Sequence, residues 1–232
     1  MTEAEARGRD HRIAVCIFAK PPTPGAVKTR LATVVGHAAA ARLADAFLRD
    51  TWAAVARLPW ARPILATTGP GLELEGPVDA ATWLQGGGDL GARLERVLGR
   101  ALAGHAAAMA VGADSPATIA ARLPQARMVL AQTEAVLGPT VDGGFDLIGL
   151  RECPPGLFDA LPWSHPDTCS RMTARLREAS LGVGLLETGF DVDHPSDLDL
   201  LRRAVEDDPS VAPATAAVLA GLGSSGRERR VG

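Results

Sequence analysis

Lys28 and Arg30 stand two residues apart at the end of a loop, Lys20-Pro21-Pro22-Thr23-Pro24-Gly25-Ala26-Val27, that follows an apolar run of strand length from Ile13 to Ala19. A lysine ammonium and a forked guanidinium beside backbone amides are chemistry for gripping phosphate oxygens, and Gly25 lets the backbone come close to a ligand. Lys20, the first charge after the apolar run, is either a further phosphate contact or the residue that ends a buried strand. The loop is not a P-loop, because Gly-x-x-x-x-Gly-Lys-Ser/Thr is absent. Taken alone it is also compatible with a solvated loop that carries two incidental cations.

Carboxylates follow other apolar runs. Asp114, where the run Ala107 to Val111 ends, can cap a helix that starts at Pro116 or hold a hard cation such as Mg²⁺. Asp193, with Asp191 as a further candidate, strengthens the metal reading, since Mg²⁺ on a nucleotide takes one or two carboxylates and leaves the rest to phosphate and water. Asp193 can equally cap the helix that begins near Pro195. Asp142-Gly143-Gly144 offers a carboxylate beside a permissive backbone, in the same letters that make a hairpin turn. Asp89 and Arg93 frame the run Gly86-Gly87-Gly88, as phosphate contacts or as a helix-start carboxylate with an exposed arginine one turn on. Trp163-Ser164 is a substrate-contacting loop or an aromatic anchor for that loop. His37, His105, His165 and His194 share no motif and none is assigned as a base; Gly-x-Ser-x-Gly and a paired cysteine and histidine signature are absent.

The elements that must position these side chains alternate in the manner of a parallel sheet covered by helices. Strands are expected at Ile13 to Ala19, Pro63 to Thr68, Ala81 to Leu84, Ala107 to Val111, Met128 to Leu130, Ala135 to Gly138 and Val183 to Leu186, with a further apolar strand after Gly144. Helices are expected at Gly36 to Arg57, after Gly91, at Ala117 to Leu123, at Asp167 to Ala179, and from Ser196 or Asp197 onward. In an open α/β sheet ligands sit outside the carboxyl ends of the strands, so Lys28, Arg30, Asp114, Asp142 and Asp193 can line one cleft although far apart in sequence.

A chain of 232 residues with 47% hydrophobic and 22% charged residues can form one α/β domain. The expected division is a charged extension over residues 1–12, one domain over 13–205, and an extension over 206–232 whose end, from Gly221, has the composition of a disordered tail. A net charge of -3 gives no general attraction to nucleic acid or an anionic membrane, so any anion site is local. Three cysteines without metal-ligand spacing suggest neither a disulfide framework nor a zinc site and fit a reducing cytoplasm. The apolar run meets Lys20 before it can span a bilayer.

The ordered set Ala19-Lys20-Pro21-Pro22-Thr23-Pro24-Gly25-Ala26-Val27-Lys28-Thr29-Arg30-Leu31, Gly88-Asp89-Leu90-Gly91-Ala92-Arg93, Gly112-Ala113-Asp114-Ser115-Pro116, Gly138 to Gly144, Pro162-Trp163-Ser164 and Asp191-Val192-Asp193-His194-Pro195 resembles the DUF2064 family of the nucleotide-diphospho-sugar transferase superfamily. The resemblance covers Ile13 to Arg203. A more distant similarity is to phospholactate guanylyltransferases. The resemblance implies a three-layer αβα sandwich with a mostly parallel sheet. It further implies that Lys28 and Arg30 hold nucleotide phosphates, that Asp114 and Asp193 coordinate Mg²⁺ or Mn²⁺, and that Asp142, Gly143 and Gly144 shape the acceptor pocket near Trp163 and Ser164. The chain departs from the family pattern at Ser115, at Phe145-Asp146 and at His165.

The expected function is a Mg²⁺-dependent nucleotidyltransferase that joins an NTP to a small phosphorylated acceptor, with Lys28, Arg30 and Asp114 as catalytic residues. The alternatives are a glycosyltransferase that uses an NDP-sugar and a nucleotide-binding protein without turnover. The partners expected are a nucleotide or nucleotide-sugar and a small acceptor, with no nucleic acid and no membrane span.

Overall fold

The computed structural model describes residues 10–228, apart from residues 71, 73, 75, 78 and 79. The first strand, β1 (Ile13–Ala19), shows why the sheet forms: Val15 and Ile17 pack into one apolar cluster and Ala14 and Cys16 into another, so both faces are covered. Around it lie β2 (Ala61–Thr67), β3 (Ala81–Leu84), β4 (Ala108–Gly112), β5 (Ala135–Pro139), β6 (Phe145–Leu150) and β7 (Val183–Leu185). Their spatial order is β3-β2-β1-β4-β6-β5-β7. Every pairing is parallel except those of β6, which runs against β4 and β5.

Helices cover both faces, as the expected αβα sandwich requires. On one side α3 (Leu90–Gly104) and α5 (Thr168–Glu178) bury Leu94, Val97, Leu98, Met172 and Leu176. On the other, α2 (His37–Ala56) and α4 (Ile119–Leu130) bury Leu48, Trp52, Val55, Ile119 and Leu123. The short helix α1 (Thr29–Val35) meets α2 at Gly36, whose φ of 82° caps one helix and opens the next. The chain reverses its direction of sheet growth between β1 and β4, and a crevice opens at their carboxyl ends.

Two expected elements are corrected. Met128 to Leu130 is the last turn of α4, not a strand, and the helix runs through Pro124. Pro124 lies on the exposed face, where water can satisfy the carbonyl its missing N–H leaves free, while Ile119, Leu123, Ala126 and Leu130 bury one face at helical spacing. Tertiary packing therefore outweighs the proline.

The second correction concerns residues 206–232. Helix α6 (Asp197–Asp207) continues into a single 3₁₀ turn (Pro209–Val211) and helix α7 (Pro213–Glu228). Ala212 and Thr215 are fully buried, and Val218 and Leu219 join a third apolar cluster with Leu43, Phe47, Leu198 and Leu201. Alanine-rich composition conceals an amphipathic helix because alanine counts weakly as apolar in any periodicity. The tail expected from Gly221 is thus helical to Glu228; residues 1–9 and 229–232 lie outside the described residues.

The buried Asp50 of α2 holds that helix in place, accepting hydrogen bonds from Ala214 N (2.9 Å) and Thr215 N (2.8 Å) at the start of α7. Asp50→Ala leaves two first-turn amides without their acceptor and should lower the unfolding free energy by about 1–2 kcal/mol. Urea denaturation of the variant checks this, and an unchanged midpoint contradicts the cap.

Candidate active site

The loop after β1 ends in an uncommon conformation: Lys28 has φ 47° and occupies the N-cap of α1 without a side-chain cap. A left-handed lysine costs roughly 1–2 kcal/mol. Its side chain is 5% exposed, and Nζ lies 2.6 Å from Asp114 Oδ1 and 2.7 Å from Asp193 Oδ1. The Phe47 ring lies under the ammonium, 5.8 Å from Nζ to its centroid. The ion pairs offset the backbone strain. Arg30 reaches Asp193 Oδ2 at 3.6 Å and His194 Nε2 at 3.5 Å.

The two carboxylates are aimed by their own segments. Asp114 leaves β4, and its carbonyl accepts from Val192 N at 2.9 Å. Val192 is fully buried, so its neighbours Asp191 and Asp193 stand on either side of an anchored residue. Neither aspartate at the ion pair caps a helix. Thr118 is the N-cap of α4, the segment 115–118 being a turn, and Ser196 is the N-cap of α6, where Asp197 Oδ2 accepts from Asp193 N and His194 N. The capping alternatives for Asp114 and Asp193 therefore fall away.

Burial opposes the charge on Lys28, yet Asp114 and Asp193 more than compensate and raise its pKa. Burial likewise pushes Asp193 up, but Lys28, Arg30 and His194 outweigh it and the carboxyl is lowered. Asp191 is raised to about 6, first by burial and then by the charges of Asp142, Asp193 and Asp114. Among the described residues no group of three or more histidines, cysteines, aspartates and glutamates is arranged as a metal site. Cys16 and Cys153 are pushed up to about 12 by burial and carry no thiolate nucleophile.

These groups border a cleft of about 450 Å³ lined by Lys20, Lys28, Arg30, Arg93, Asp114 and Asp193. Four cations against two carboxylates make it locally positive in a chain of net charge -3. A second cavity of about 150 Å³ shares Phe18, Leu90 and Asp114 with it, and takes in Ser115, Thr140, Phe145, Asp146 and Asp191.

The structure brings together Lys20, Lys28, Arg30, Asp114, Asp191 and Asp193 and leaves the other expected residues elsewhere. Asp89 caps α3 by accepting from Ala92 N at 2.9 Å, and Arg93, not Asp89, borders the cleft. Gly25 turns the loop at φ 83° but lines neither cavity. Asp142 closes the β5–β6 turn, its Oδ1 accepting from Thr140 Oγ1 (2.5 Å) and Gly144 N (2.9 Å). Gly143, at φ 85°, lies so close to Pro166 that a Cβ would collide with the Pro166 backbone. This triplet builds a turn, the hairpin alternative, and only the charge of Asp142 reaches the acidic cluster. Trp163 packs with Phe158 and Phe145 at ring separations of 6.5 and 6.0 Å, the anchor alternative, and Ser164 is exposed at φ 59°.

Sequence reasoning missed one buried pair. Arg122 and Asp146 have side chains 7% and 3% exposed, with Arg122 Nη2 2.9 Å from Asp146 Oδ1. The β5–β6 register shifts at Gly138/Pro139, leaving Asp146 as an extra residue in β6. Such a bulge re-aims a side chain, here toward α4. Arg122 Nη1 also donates to Glu187 O at 2.7 Å, tying α4 to the segment that leads to Asp191. A charge inside each of two apolar runs, Ile119 to Leu123 and Phe145 to Leu150, was the available signal.

The model of the family described as an uncharacterized protein conserved in bacteria, DUF2064, matches residues 51–165. A solved structure from Desulfovibrio desulfuricans, described provisionally as a nucleotide-diphospho-sugar transferase, is 30% identical, with a TM-score of 0.83 over 94% of this chain and 98% of that one. A 4-diphosphocytidyl-2C-methyl-D-erythritol synthase from Anaerococcus prevotii matches at 10% identity and TM-score 0.56, over 88% of this chain and 100% of that one. A CMP:2-keto-3-deoxy-manno-octonic acid synthetase complexed with CTP matches at 12% identity and TM-score 0.53, over 85% and 99%. The last two are likenesses of fold. No curated protein matches this chain in sequence.

Burial holds the Asp146 carboxyl above its ordinary pKa although Arg122 and Ser115 pull it down. Arg122→Met strands that carboxylate and should destabilise the protein by about 3–5 kcal/mol at neutral pH. A carboxyl raised in the folded state binds more protons there than in the unfolded chain, so stability rises on acidification from its folded pKa toward about 4, and part of the loss should return in that window. Unfolding free energies measured from pH 7 to pH 4 check both the size and the sign.

Proposed function

Because the chain belongs to the DUF2064 family and its solved relative at 30% identity is named as a nucleotide-diphospho-sugar transferase, we propose that it is a metal-dependent transferase of nucleotides, specifically a nucleotidyltransferase that joins an NTP to a small phosphorylated acceptor. The observation that carries this reading is the Lys28 ammonium, held between Asp114 and Asp193 in a cleft whose other cations are Lys20, Arg30 and Arg93. Four cations suit a triphosphate, with its larger charge, better than a diphosphate.

In the proposed reaction an ionised oxygen of the acceptor phosphate attacks the α-phosphorus. A new P–O bond forms, the bond from that phosphorus to the α,β-bridging oxygen breaks, and pyrophosphate leaves with the bonding electron pair. No proton has to be removed from the attacking oxygen. Lys28 and Arg30 orient the phosphates and offset the charge that builds on them, the kind of electrostatic positioning that dominates phosphoryl chemistry.

Asp114 and Asp193 are the residues that would hold Mg²⁺ or Mn²⁺. Lys28 engages Oδ1 of each and Arg30 stands 3.6 Å from Asp193 Oδ2, so a cation would meet Asp114 through its second oxygen and would share Asp193 with Arg30, on carboxylates that are 49% and 42% exposed. The donor set fits: oxygen ligands suit a hard cation, and one or two carboxylates suffice when phosphates complete the shell. The pKa of Asp191 is raised first by burial and then by the charges of Asp142, Asp193 and Asp114, and a divalent ion would relieve that second contribution. When bound, the ion would neutralise charge on the phosphate oxygens.

The name of the Desulfovibrio relative favours a second reading, glycosyl transfer from an NDP-sugar. Against it, Ala113-Asp114-Ser115 lacks the two-carboxylate Asp-x-Asp signature common at that point in such enzymes. NTP-dependent pyrophosphate release supports nucleotidyl transfer, and slow NDP release from an NDP-sugar supports the alternative. Lys28→Ala and Arg30→Ala should each cut pyrophosphate release by about 10²–10³-fold. Release that is unchanged in both variants overturns the proposal.

A further inference from the structure

The smaller cavity is built differently from the cleft it joins. Its walls are Phe18, Leu90, Leu94, Phe145 and Ile148, brought together by the ends of β1 and β6 and the start of α3. Its floor exists because β4 presents small residues there: Ala110 and Gly112 alternate along the strand, and a Cβ added at Gly112 would meet nothing closer than 3.9 Å. At about 150 Å³ it matches a cavity that holds benzene.

Ser115 Oγ, on a residue 2% exposed, and Asp146 Oδ2, on a side chain 3% exposed, are buried in its lining; Ser115 stands close enough to Asp146 to lower its pKa, and neither oxygen has any other hydrogen-bond partner among the described residues. The charged side chains in the lining are Asp114, Asp146 and Asp191, and among the described residues no lysine, arginine or histidine lines it. A carboxylate or phosphate is therefore unwelcome inside. At the mouth Asp114 is bonded to Lys28, so a phosphate there meets a cation.

We propose that this chamber receives the body of the acceptor, and that the acceptor is a phosphate monoester of a compact, uncharged, mainly apolar alcohol, its phosphate at the mouth beside Lys28. The inference rests on the nucleotidyl-transfer reading and adds the substrate class. A polyhydroxylated sugar is excluded by the same walls, because each hydroxyl facing Phe18, Leu94 or Ile148 loses its water partners and weakens binding by about tenfold. A hydrogen-bond donor on the acceptor body can be accommodated only on the polar side of the lining, against Ser115 Oγ or Asp146 Oδ2.

Calorimetric titration of the full chain in magnesium buffer, with phenyl phosphate and with glucose 1-phosphate, reads the chamber directly. Phenyl phosphate should bind about tenfold or more tightly than glucose 1-phosphate, and Gly112→Leu should weaken it by about tenfold while NTPs still raise the melting temperature of the variant. Gly112→Ala adds one methyl in open space and keeps the test readable if leucine impairs folding; it should weaken phenyl phosphate by about threefold. No phenyl phosphate binding, an equal or better affinity for the sugar phosphate, or unchanged affinity in both variants overturns the inference. Binding as expected without pyrophosphate from any NTP leaves the chamber standing and overturns the reaction proposed above.

Discussion

The Lys28 ammonium, shared between Asp114 and Asp193, joins three parts of the chain that local structure keeps apart: the loop after β1, the end of β4 and the segment before α6. A half-exposed ion pair contributes little stability. This one differs in that the lysine side chain is almost wholly buried, so its charge depends on both carboxylates and their positions depend on it. The left-handed backbone at Lys28 persists because those contacts over-determine it. Strain, burial and charge converge on one nitrogen at the wall of the cleft.

The sheet supplies the rigidity this arrangement needs. β1 and β4 lie side by side at the centre, buried on both faces, and their carboxyl ends deliver Lys20 and Asp114 to the same edge. The reversed strand β6 brings the bulge at Asp146, whose partner Arg122 also grips Glu187 O. The acidic segment is thus held from two sides, by Arg122 behind it and by the buried Val192 within it. The α6–α7 region seals the remaining side of α2, with Phe47 contributing both to that core and to the face beneath the Lys28 ammonium.

The cleft and chamber divide the labour along a line of charge. Cations gather where α1 begins, while the chamber floor is made of small residues and its rim of carboxylates. Asp114 belongs to both and marks their junction. A ligand with an anionic end and an apolar end would have one orientation that satisfies both environments.

Much of this was legible in the residues. A strand buried on both faces must be a continuous apolar run, so Ile13 to Ala19 could be read directly, as could the α/β alternation. Other features depended on distant partners. Asp89, Asp114, Asp142 and Asp193 follow similar local patterns, yet Asp89 and Asp142 bond to their own backbone or turn, whereas Asp193 meets Lys28 across 165 positions of sequence. Helix α4 runs past Pro124, and α7 forms in a stretch with the composition of a tail, because of faces that other elements cover. Sequence alone determined which segments are apolar and which residues carry charge, since these are local properties. Which carboxylate pairs with a distant cation, and where a cavity remains, were decided only by tertiary structure, because desolvation and long-range pairing act between residues that no local pattern connects.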